Sequence, residues 1–484
     1  MIKIQRMKGI TLISLVVSII ILMILAGISI SMLTGENGIL KKTREAKLKN
    51  EEAIEIESVN LAVSTSKMDN LNTTEITKEN LEKNLKSISN RDSSFEIAEN
   101  NSGDFTIKFN DSNREYYIDK SGEVIYNDNI LKISNSDELK KFRDSVNKGN
   151  SYNGWYIYLD NDIILDPNEE WIPIGIYNEN GEEFLWGYKG YSFKGIFDGK
   201  NHKIDKLCIN NSSKGQGLFG FITYATIKNI ELGEYCNINS NNETGGIVGN
   251  ALYSNILNSI NKSNIVSSGY NVGGIAGVAN FSKISNCKNI SKVETTQYTI
   301  GGIVGNAYST NIYQCGNIGE IKGKTSNVGG IIGQCNYNQI VECYNQGKVT
   351  NNYGAIGGIA GNVTGSGQKI CKISNSYNVA EIIGTNEGGG LIGVGESLYI
   401  TNSYNIGYVN VSNNAGEIIG TKKENAELNK NFYLDSCIDK PNKIEGSIMK
   451  KSEDMKKVYE ELGDCFTDDI NNINEGYPIL LWQK

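Results

Sequence analysis

Histidine, arginine and proline are scarce in this chain of 484 residues. The scarcity of histidine argues against a zinc site, and the scarcity of arginine argues against nucleic acid as a partner. The one histidine is His202, and a single histidine cannot form a zinc site without cysteine ligands. The nine cysteines include no Cys-x-x-Cys pair that could supply them. No arginine follows Arg143 and the formal net charge is −8, so no basic stripe is present and nucleic acid is not an expected partner.

Aspartate is absent from residue 206 to residue 434, which removes most of the acidic chemistry from the middle of the chain. Glycoside hydrolases need paired carboxylates, and calcium-binding repeats need aspartates at fixed positions. The glutamates of this region are scattered. We interpret His202, which follows Asp198-Gly199, as a polar turn residue and not as a base or a metal ligand.

Glycine is abundant and regularly placed, with 53 residues against only four prolines. A five-residue motif starts every 28 residues, at Gly245, Gly273, Gly301, Gly329 and Gly357. Looser copies start at Gly217, Gly389 and Gly416. We expect the second glycine of each regular copy and of the copy at Gly389 to be structural: Gly246, Gly274, Gly302, Gly330, Gly358 and Gly390. No helical periodicity fits these repeats, so each offers short strands separated by turns.

The period predicts the fold. Two further apolar columns follow each motif, giving an expected three short strands per repeat. Three strands in 28 residues fit one turn of a right-handed parallel β-solenoid, whose coils stack about 4.8 Å apart. One repeat cannot bury its apolar face alone, so neighbouring repeats must stabilise one another. We expect seven or eight coils, with asparagine at the bends.

A cysteine column accompanies the second apolar column. Cys287, Cys315 and Cys343 share one repeat position, which Ser259, Ser376 and Ser403 fill in other repeats. Exchange between cysteine and serine suits a small inward-facing site and not a disulfide framework, so we predict a ladder of free thiols. For Cys437 and Cys465, near the C-terminus, a disulfide is the alternative prediction.

A tyrosine column comes directly after the cysteine column, at Tyr344, Tyr377 and Tyr404. Its functional interpretation is an exposed aromatic track that binds sugar or protein. The alternative is stacking between coils that stabilises the solenoid.

The N-terminus carries the chain's longest apolar run. Lys3, Arg6 and Lys8 precede 24 uncharged residues from Ile10 to Leu33, enough to span about 36 Å as a membrane helix with the following chain outside the cell. The segment Lys8-Gly9-Ile10-Thr11-Leu12-Ile13 resembles the leader of type IV prepilins.

That resemblance implies cleavage by a prepilin peptidase between Gly9 and Ile10, with methylation of Ile10. The family usually has glutamate at the fifth mature position, where this chain has Ser14, and this weakens the case for a filament-building subunit. A plain signal anchor is the alternative.

The predicted fold is therefore mainly β, with an N-terminal transmembrane and stalk α-helix and a small α+β module before the solenoid. A hairpin is expected at Phe105–Phe109 and Tyr116–Ile118, and a helix beginning at Ser136 or Asp137. The predicted segments are a leader (1–9), a transmembrane helix (10–33), a helical stalk (34–90), a β-hairpin module (91–130), a β-rich lead-in (131–216), repeats (217–420) and a C-terminal cap (421–484).

The repeats are similar to the GLUG repeats of bacterial surface proteins, because Gly217-Leu218-Phe219-Gly220 carries that family's motif. The lead-in Trp171-Ile172-Pro173-Ile174-Gly175 and the closing Gly476-Tyr477-Pro478 resemble the family's flanking segments. Some members accompany an immunoglobulin-cleaving metallopeptidase, but its His-Glu-x-x-His zinc motif needs two histidines.

The resemblance and the missing side chains together predict a non-enzymatic bacterial surface protein, membrane-anchored or pilus-associated, that serves adhesion. Its expected partners are the membrane, prepilin peptidase, other pilins and an unidentified glycan or protein ligand; no cofactor or metal is expected. The alternatives are a purely structural spacer and, less favoured, a polysaccharide-active β-helix enzyme.

Overall fold

A computed structural model gives the fold of residues 39–69, 76–89, 95–99, 104–118, 122, 124–126, 129–184, 187, 189–325, 327–365 and 370–484. These residues divide into two compact units, the second starting at Asn129. Gly9, Ile10 and the predicted membrane span lie outside the described residues. Within the described ranges, no helix combines the length and the apolar character needed to cross a bilayer.

The first unit combines two helices with one antiparallel sheet. Helix α1 spans Ile39–Asp69 and helix α2 spans Lys78–Ser89. The sheet contains Phe95–Glu99, Phe105–Phe109, Glu115–Ile118 and Val124–Tyr126 in that order, so the predicted hairpin is confirmed as its central pair. Its core joins α1, α2 and the sheet through side chains such as Val59, Leu81 and Ile107.

A carboxylate of α1 is buried against this sheet. Glu55 is 3% exposed and accepts hydrogen bonds from the Tyr116 hydroxyl at 2.7 Å and from Arg114 at 3.2 Å. Burial and the hydrogen bond to Glu55 raise the pKa of Tyr116 well above its ordinary value. The hydrogen bonds of Glu55 therefore join α1, which lies in the predicted stalk, to the sheet of the module that follows.

The second unit is a parallel β-solenoid of about 11 turns, as the period predicted but longer. The lead-in already forms coils, and the chain continues to coil past residue 420. Its handedness stays a prediction. The coils form five parallel sheets of seven to eleven strands, not three, and several of the strands are only two or three residues long.

The five sheets are numbered in the order in which one coil passes through them. Sheet 1 contains Cys208–Asn211, Asn237–Ser240, Asn264–Ser267, Val293–Thr295, Ile321–Gly323, Val349–Asn351, Ile382–Gly384 and Val409–Val411. Sheet 2 contains Thr244–Gly245, Val272–Gly273, Ile300–Gly301, Val328–Gly329, Ala355–Gly357, Glu387–Gly389 and Ala415–Gly416. Sheet 3 contains Phe219–Thr223, Val248–Leu252, Ala276–Asn280, Val304–Tyr308, Ile332–Asn336, Ala360–Thr364, Ile392–Gly395 and Ile419–Lys422.

Sheets 4 and 5 have 11 strands each. Sheet 4 contains Ile130–Ile133, Tyr156–Leu159, Ile196–Asp198, Thr226–Lys228, Asn255–Leu257, Lys283–Ser285, Asn311–Tyr313, Gln339–Val341, Cys371–Ser374, Leu398–Thr401 and Ala426–Asn429. Sheet 5 contains Ile163–Ile164, Lys203–Asp205, Glu231–Leu232, Ile260–Asn261, Lys288–Asn289, Gly316–Asn317, Tyr344–Asn345, Tyr377–Asn378, Tyr404–Asn405, Asn431–Leu434 and Ser447–Lys450.

The core of the solenoid consists of isoleucine, valine and small residues that repeat from coil to coil. Ile256, Ile284, Ile312, Ile340, Ile373 and Ile400 are all fully buried in sheet 4. Like residues stack because the strands pair in exact register, Ile284 with Ile312 and Ile312 with Ile340. Each coil therefore covers the apolar face of the next.

Short elements cover both ends of the stack. Helix α3 spans Ser136–Val146, is capped by the Asn135 side chain and not by Ser136 or Asp137, and packs Phe142 against Phe193 and Phe197. Helices α4 (Ser452–Met455) and α5 (Tyr459–Leu462) follow the last coil. Two antiparallel pairs complete the unit: Ile176–Glu183 with Lys189–Tyr191, and Phe466–Thr467 with Ile479–Leu480.

Candidate functional site

The predicted tyrosine column is buried. Tyr344 is 3% exposed, and Tyr377 and Tyr404 are fully buried. Their rings stack in sheet 5 with centroids 5.5 Å and 4.9 Å apart. The interpretation of this column as an exposed aromatic track is therefore wrong, because rings with no accessible face cannot bind a ligand, and the alternative of stacking between coils describes what the structure contains.

Residues 464–484, here called the C-terminal strap, cover this column. Trp482 lies 5.7 Å from the Tyr344 ring and donates to the Glu342 carbonyl at 3.1 Å. The Tyr377 hydroxyl donates to Gln483 Oε1 at 2.9 Å, and Tyr404 donates to the Pro478 carbonyl. Tyr477 and its neighbours were expected to close the end of the last coil, but the strap runs along the side of sheet 5.

Burial keeps these tyrosines neutral. It raises the pKa of Tyr344 to about 12 and the pKa values of Tyr377 and Tyr404 further above their ordinary range. Their hydroxyls therefore act only as hydrogen-bonding groups between the coils and the strap.

The cysteine column is buried and unpaired. Cys287, Cys315 and Cys343 are at most 1% exposed, and all nine cysteines are free, Cys437 and Cys465 included. Burial and the neighbouring thiols of Cys287 and Cys343 raise the pKa of Cys315. The Cys315 thiol therefore stays protonated at neutral pH, which makes it a poor nucleophile.

A shared hydrogen bond explains why serine replaces cysteine in this column. The Cys315 thiol donates to the carbonyl two residues before it, that of Tyr313, at 3.2 Å. Ser376 donates to the equivalent carbonyl of Ser374 at 2.9 Å. Both side chains are small donors, so either residue satisfies the site.

The repeat glycines are needed because an asparagine side chain lies against each of them. A Cβ at Gly302 would overlap the Asn317 amide and the carbonyl of Gly330. The same relation joins Gly246 to Asn261, Gly274 to Asn289, Gly330 to Asn345, Gly358 to Asn378 and Gly390 to Asn405. None of these glycines is at positive φ, so close approach and not turn geometry selects them.

These six asparagines form a continuous buried ladder that the sequence analysis missed. Each is fully buried in sheet 5, and the side-chain amides of the first five each donate to the Oδ1 of the asparagine in the next coil at 2.8 to 2.9 Å. This buried position differs from the prediction of asparagine at the bends. The signal was available, since asparagine recurs at 261, 289, 317, 345, 378 and 405.

The last motif copy shows the coupling between glycine and asparagine. Glu417 replaces the second glycine there, and Tyr433 replaces the asparagine that would pair with Asn405. Glu417 is fully buried and accepts from the backbone of Asn442 at 2.8 Å and from Ser447 at 3.0 Å. The glycine is lost at the coil where the ladder ends.

A different set of aromatic residues lies on the surface, three of them exposed and two half-buried, and it forms the candidate site. We call it the aromatic ladder: Tyr224, Tyr253, Phe281, Tyr308 and Tyr337. Successive ring centroids lie 5.1, 5.0, 5.3 and 5.2 Å apart. Tyr224 is 67% exposed and Tyr253 38%. The ladder follows the turn between sheets 3 and 4 through five consecutive coils. Tyr308 is the last residue of its sheet 3 strand, and Ser309 takes the turn position of that coil.

The backbone of the aromatic ladder is unusual for such large residues. Tyr224, Tyr253, Phe281 and Tyr337 have φ between 49° and 58°, a left-handed conformation that favours glycine and asparagine. At the next turn, left-handed positions are held by Asn229, Asn258 and Asn286 in the first three of these coils and by Glu342 in the coil of Tyr337. In later coils the ladder's own position changes to Ser397 and Asn425. The fold therefore does not require aromatic residues at this turn.

The ladder borders a polar, nearly uncharged row on the outer surface of sheet 4. Asn255, Lys283, Asn311 and Gln339 are exposed at equivalent positions of successive coils. Amide groups both donate and accept hydrogen bonds. The combined surface offers rings on one side and amides on the other.

Glu294 and His202 each interact with other polar or charged side chains. Glu294 pairs with Lys292 at 2.6 Å and Lys322 at 3.0 Å, and the Lys292 hydrogen bond lowers its pKa. His202 Nδ1 lies 3.2 Å from Asp162 at a surface turn. Within the described ranges, no group of three or more histidine, cysteine, aspartate or glutamate side chains could hold a metal ion.

Comparisons with known proteins give structural likenesses only. No family model and no curated protein matches the chain. A putative immunoglobulin A1 protease from Bacteroides ovatus is 19% identical with a TM-score of 0.41, covering 74% of this chain and 93% of its own. An IgA1 protease is 18% identical with a TM-score of 0.38, covering 75% of this chain and 27% of its own. At these values neither likeness bears on function.

Proposed function

We propose that this chain is a non-catalytic bacterial surface protein whose solenoid binds an extended glycan along the aromatic ladder. The observation that carries the proposal is a surface row of five aromatic rings, four of which are at left-handed turn positions of the kind that favour glycine and asparagine. Strained positions that persist against the local preference are typical of functional sites. Tyrosine combines a large apolar ring with a hydroxyl, which suits it to binding surfaces.

The chemistry of the surface favours a glycan over a peptide. A peptide that adds to a sheet needs a free strand edge. In sheet 4 every strand between the first and the last pairs with a neighbour on both sides, so the coils that carry the ladder offer no edge. The repeat of about 5 Å between rings matches the length of a pyranose unit better than that of an extended dipeptide, about 6.7 Å.

Replacing Tyr253 with asparagine tests the proposal without stressing the fold. Asparagine suits the left-handed backbone, which offsets about 1 kcal/mol of lost ring stacking, so stability should change by less than about 1 kcal/mol. Retention of the full-length protein on immobilised cellulose, chitin, mannan and xylan should fall at least tenfold for whichever polymer binds the unchanged protein.

The matched control is Tyr298→Asn. Tyr298 is 51% exposed and stacks on Tyr270 at 4.7 Å, but it lies in the loop between sheets 1 and 2. This variant should bind like the unchanged protein. Equal losses in both variants, or no retention of the unchanged protein on any of the four polymers, would favour a structural spacer.

We also propose that the N-terminus anchors the protein at the cell surface after prepilin-type processing. The support is the basic flank, the apolar run and the Lys8-Gly9-Ile10 segment. Mass spectrometry of the protein isolated from its native membrane should find N-methylated Ile10 as the first residue. An intact Met1 would leave the plain signal anchor.

A further inference from the structure

A cavity of about 340 Å³ lies beside the hairpin of Ile176–Glu183 and Lys189–Tyr191. Ser151, Asn180, Glu182, Tyr191, Ser192 and three glycines line it. We propose that this cavity holds one neutral pyranose unit at the end of a glycan chain. The proposal rests on glycan binding along the aromatic ladder and names where the bound chain ends.

A hydrogen bond links the cavity wall to the residue that precedes the first ring of the aromatic ladder. The hydroxyl of Ser192, in its wall, lies 2.7 Å from the hydroxyl of Thr223, and both residues are buried. Thr223 directly precedes Tyr224, the most exposed ring of the ladder. A chain that follows the rings toward the N-terminal coils therefore reaches this cavity.

The hairpin that forms the cavity wall is fixed to the solenoid. The Tyr177 ring stacks on Phe221 at 5.1 Å, and the Phe184 ring meets Phe221 edge-on at 4.6 Å. The Tyr177 hydroxyl donates to Glu243 at 2.9 Å, and the Lys194 backbone amide donates to the Ser151 carbonyl at 2.8 Å. These contacts hold the wall in place, and its exposed polar residues, such as Asn180, can meet a ligand.

The lining indicates the class of ligand. It contains hydroxyls, an amide, a carboxylate and glycine backbone, with the Tyr191 ring as its only large apolar surface. Sugars need this combination of hydrogen-bonding groups and one aromatic face. The volume falls at the lower end of the range for small-molecule sites, roughly 300 to 1,000 Å³.

Charge excludes the anionic sugars. Glu182 is the one ionisable carboxylate of the lining, and it pairs with Lys194 at 2.5 Å. The lining contains no lysine or arginine that could hold a carboxylate or sulfate group on the ligand. A neutral hexopyranose or its N-acetyl derivative fits this balance.

Saturation-transfer NMR on the full-length protein tests the assignment, with glucose, galactose, mannose, N-acetylglucosamine and glucuronate as probes. At least one neutral sugar should bind, and glucuronate should not. Tyr191→Ala and Asn180→Ala should each weaken that binding at least tenfold. Asn180 is exposed, so its variant keeps the fold if Tyr191→Ala does not, and Tyr298→Asn is the control.

The proposal is overturned if no neutral sugar binds, if glucuronate binds equally well, or if both cavity variants bind like the unchanged protein. Its failure is distinguishable from that of the proposed function. If polymer retention still depends on Tyr253 while no single sugar binds, the aromatic ladder stands and the cavity does not.

Discussion

Replacing Gly302 with alanine is expected to destabilise the solenoid by more than about 4 kcal/mol, a loss that few single substitutions cause. The added Cβ would lie far inside contact distance of the Gly330 carbonyl and the Asn317 amide. The first obstacle is backbone of the next coil, and the second is a side chain hydrogen-bonded to both neighbouring coils. Neither can move without disturbing more than one coil.

The measurement is the midpoint of guanidinium denaturation, followed by far-ultraviolet circular dichroism. Asn311→Ala is the control, because Asn311 is exposed on the outer surface of the same coil and its loss should change stability by less than about 0.5 kcal/mol. Similar denaturation midpoints for the two variants would mean that the coils containing Gly302 and Gly330 are further apart than the structure places them.

Replacing Asn317 with leucine should cost about 3 kcal/mol, although the leucine side chain has the same number of heavy atoms and the same branching. Asn317 accepts from Asn289, and it donates to the Gly319 carbonyl at 2.9 Å and to Asn345 at 2.8 Å. Leucine removes these hydrogen bonds and leaves buried polar groups in both neighbouring coils without their partner. Each such group costs about 1 to 3 kcal/mol.

Asn311→Leu is the matched control for this prediction, since it makes the same chemical change on the exposed surface of the same coil. Denaturation of both variants under one set of conditions gives the comparison. A stability loss no larger for Asn317→Leu than for Asn311→Leu would show that the asparagine ladder does not stabilise the stack.

The period of 28 residues sufficed to predict stacked parallel coils, because glycine and isoleucine recur in exact register. It did not show how many coils there are. The coils formed by Tyr156–Leu159 and Ile196–Asp198 lack the glycine motif, and they are recognised only by their pairing in sheet 4. Strands of two residues, such as Val272–Gly273, have too little pattern to be seen in a sequence.

The candidate site could be predicted less well, because exposure depends on distant contacts. Tyr377 looks like a surface tyrosine in its own repeat, but it is covered by Gln483, which lies 106 residues further along the chain. Conversely, Tyr224, Tyr253 and Phe281 recur at a fixed position that the glycine motif does not include. Their importance is visible only when the left-handed backbone and the stacking of their rings are known.

The central claim is that the solenoid holds a glycan and does not cleave it. The most direct test is to incubate the full-length protein with the polymer that it retains, elute the polymer, and measure its chain length by size-exclusion chromatography. The account predicts polymer of unchanged length, with retention lost in Tyr253→Asn and kept in Tyr298→Asn. Shortened polymer, or retention that is independent of Tyr253, would contradict it.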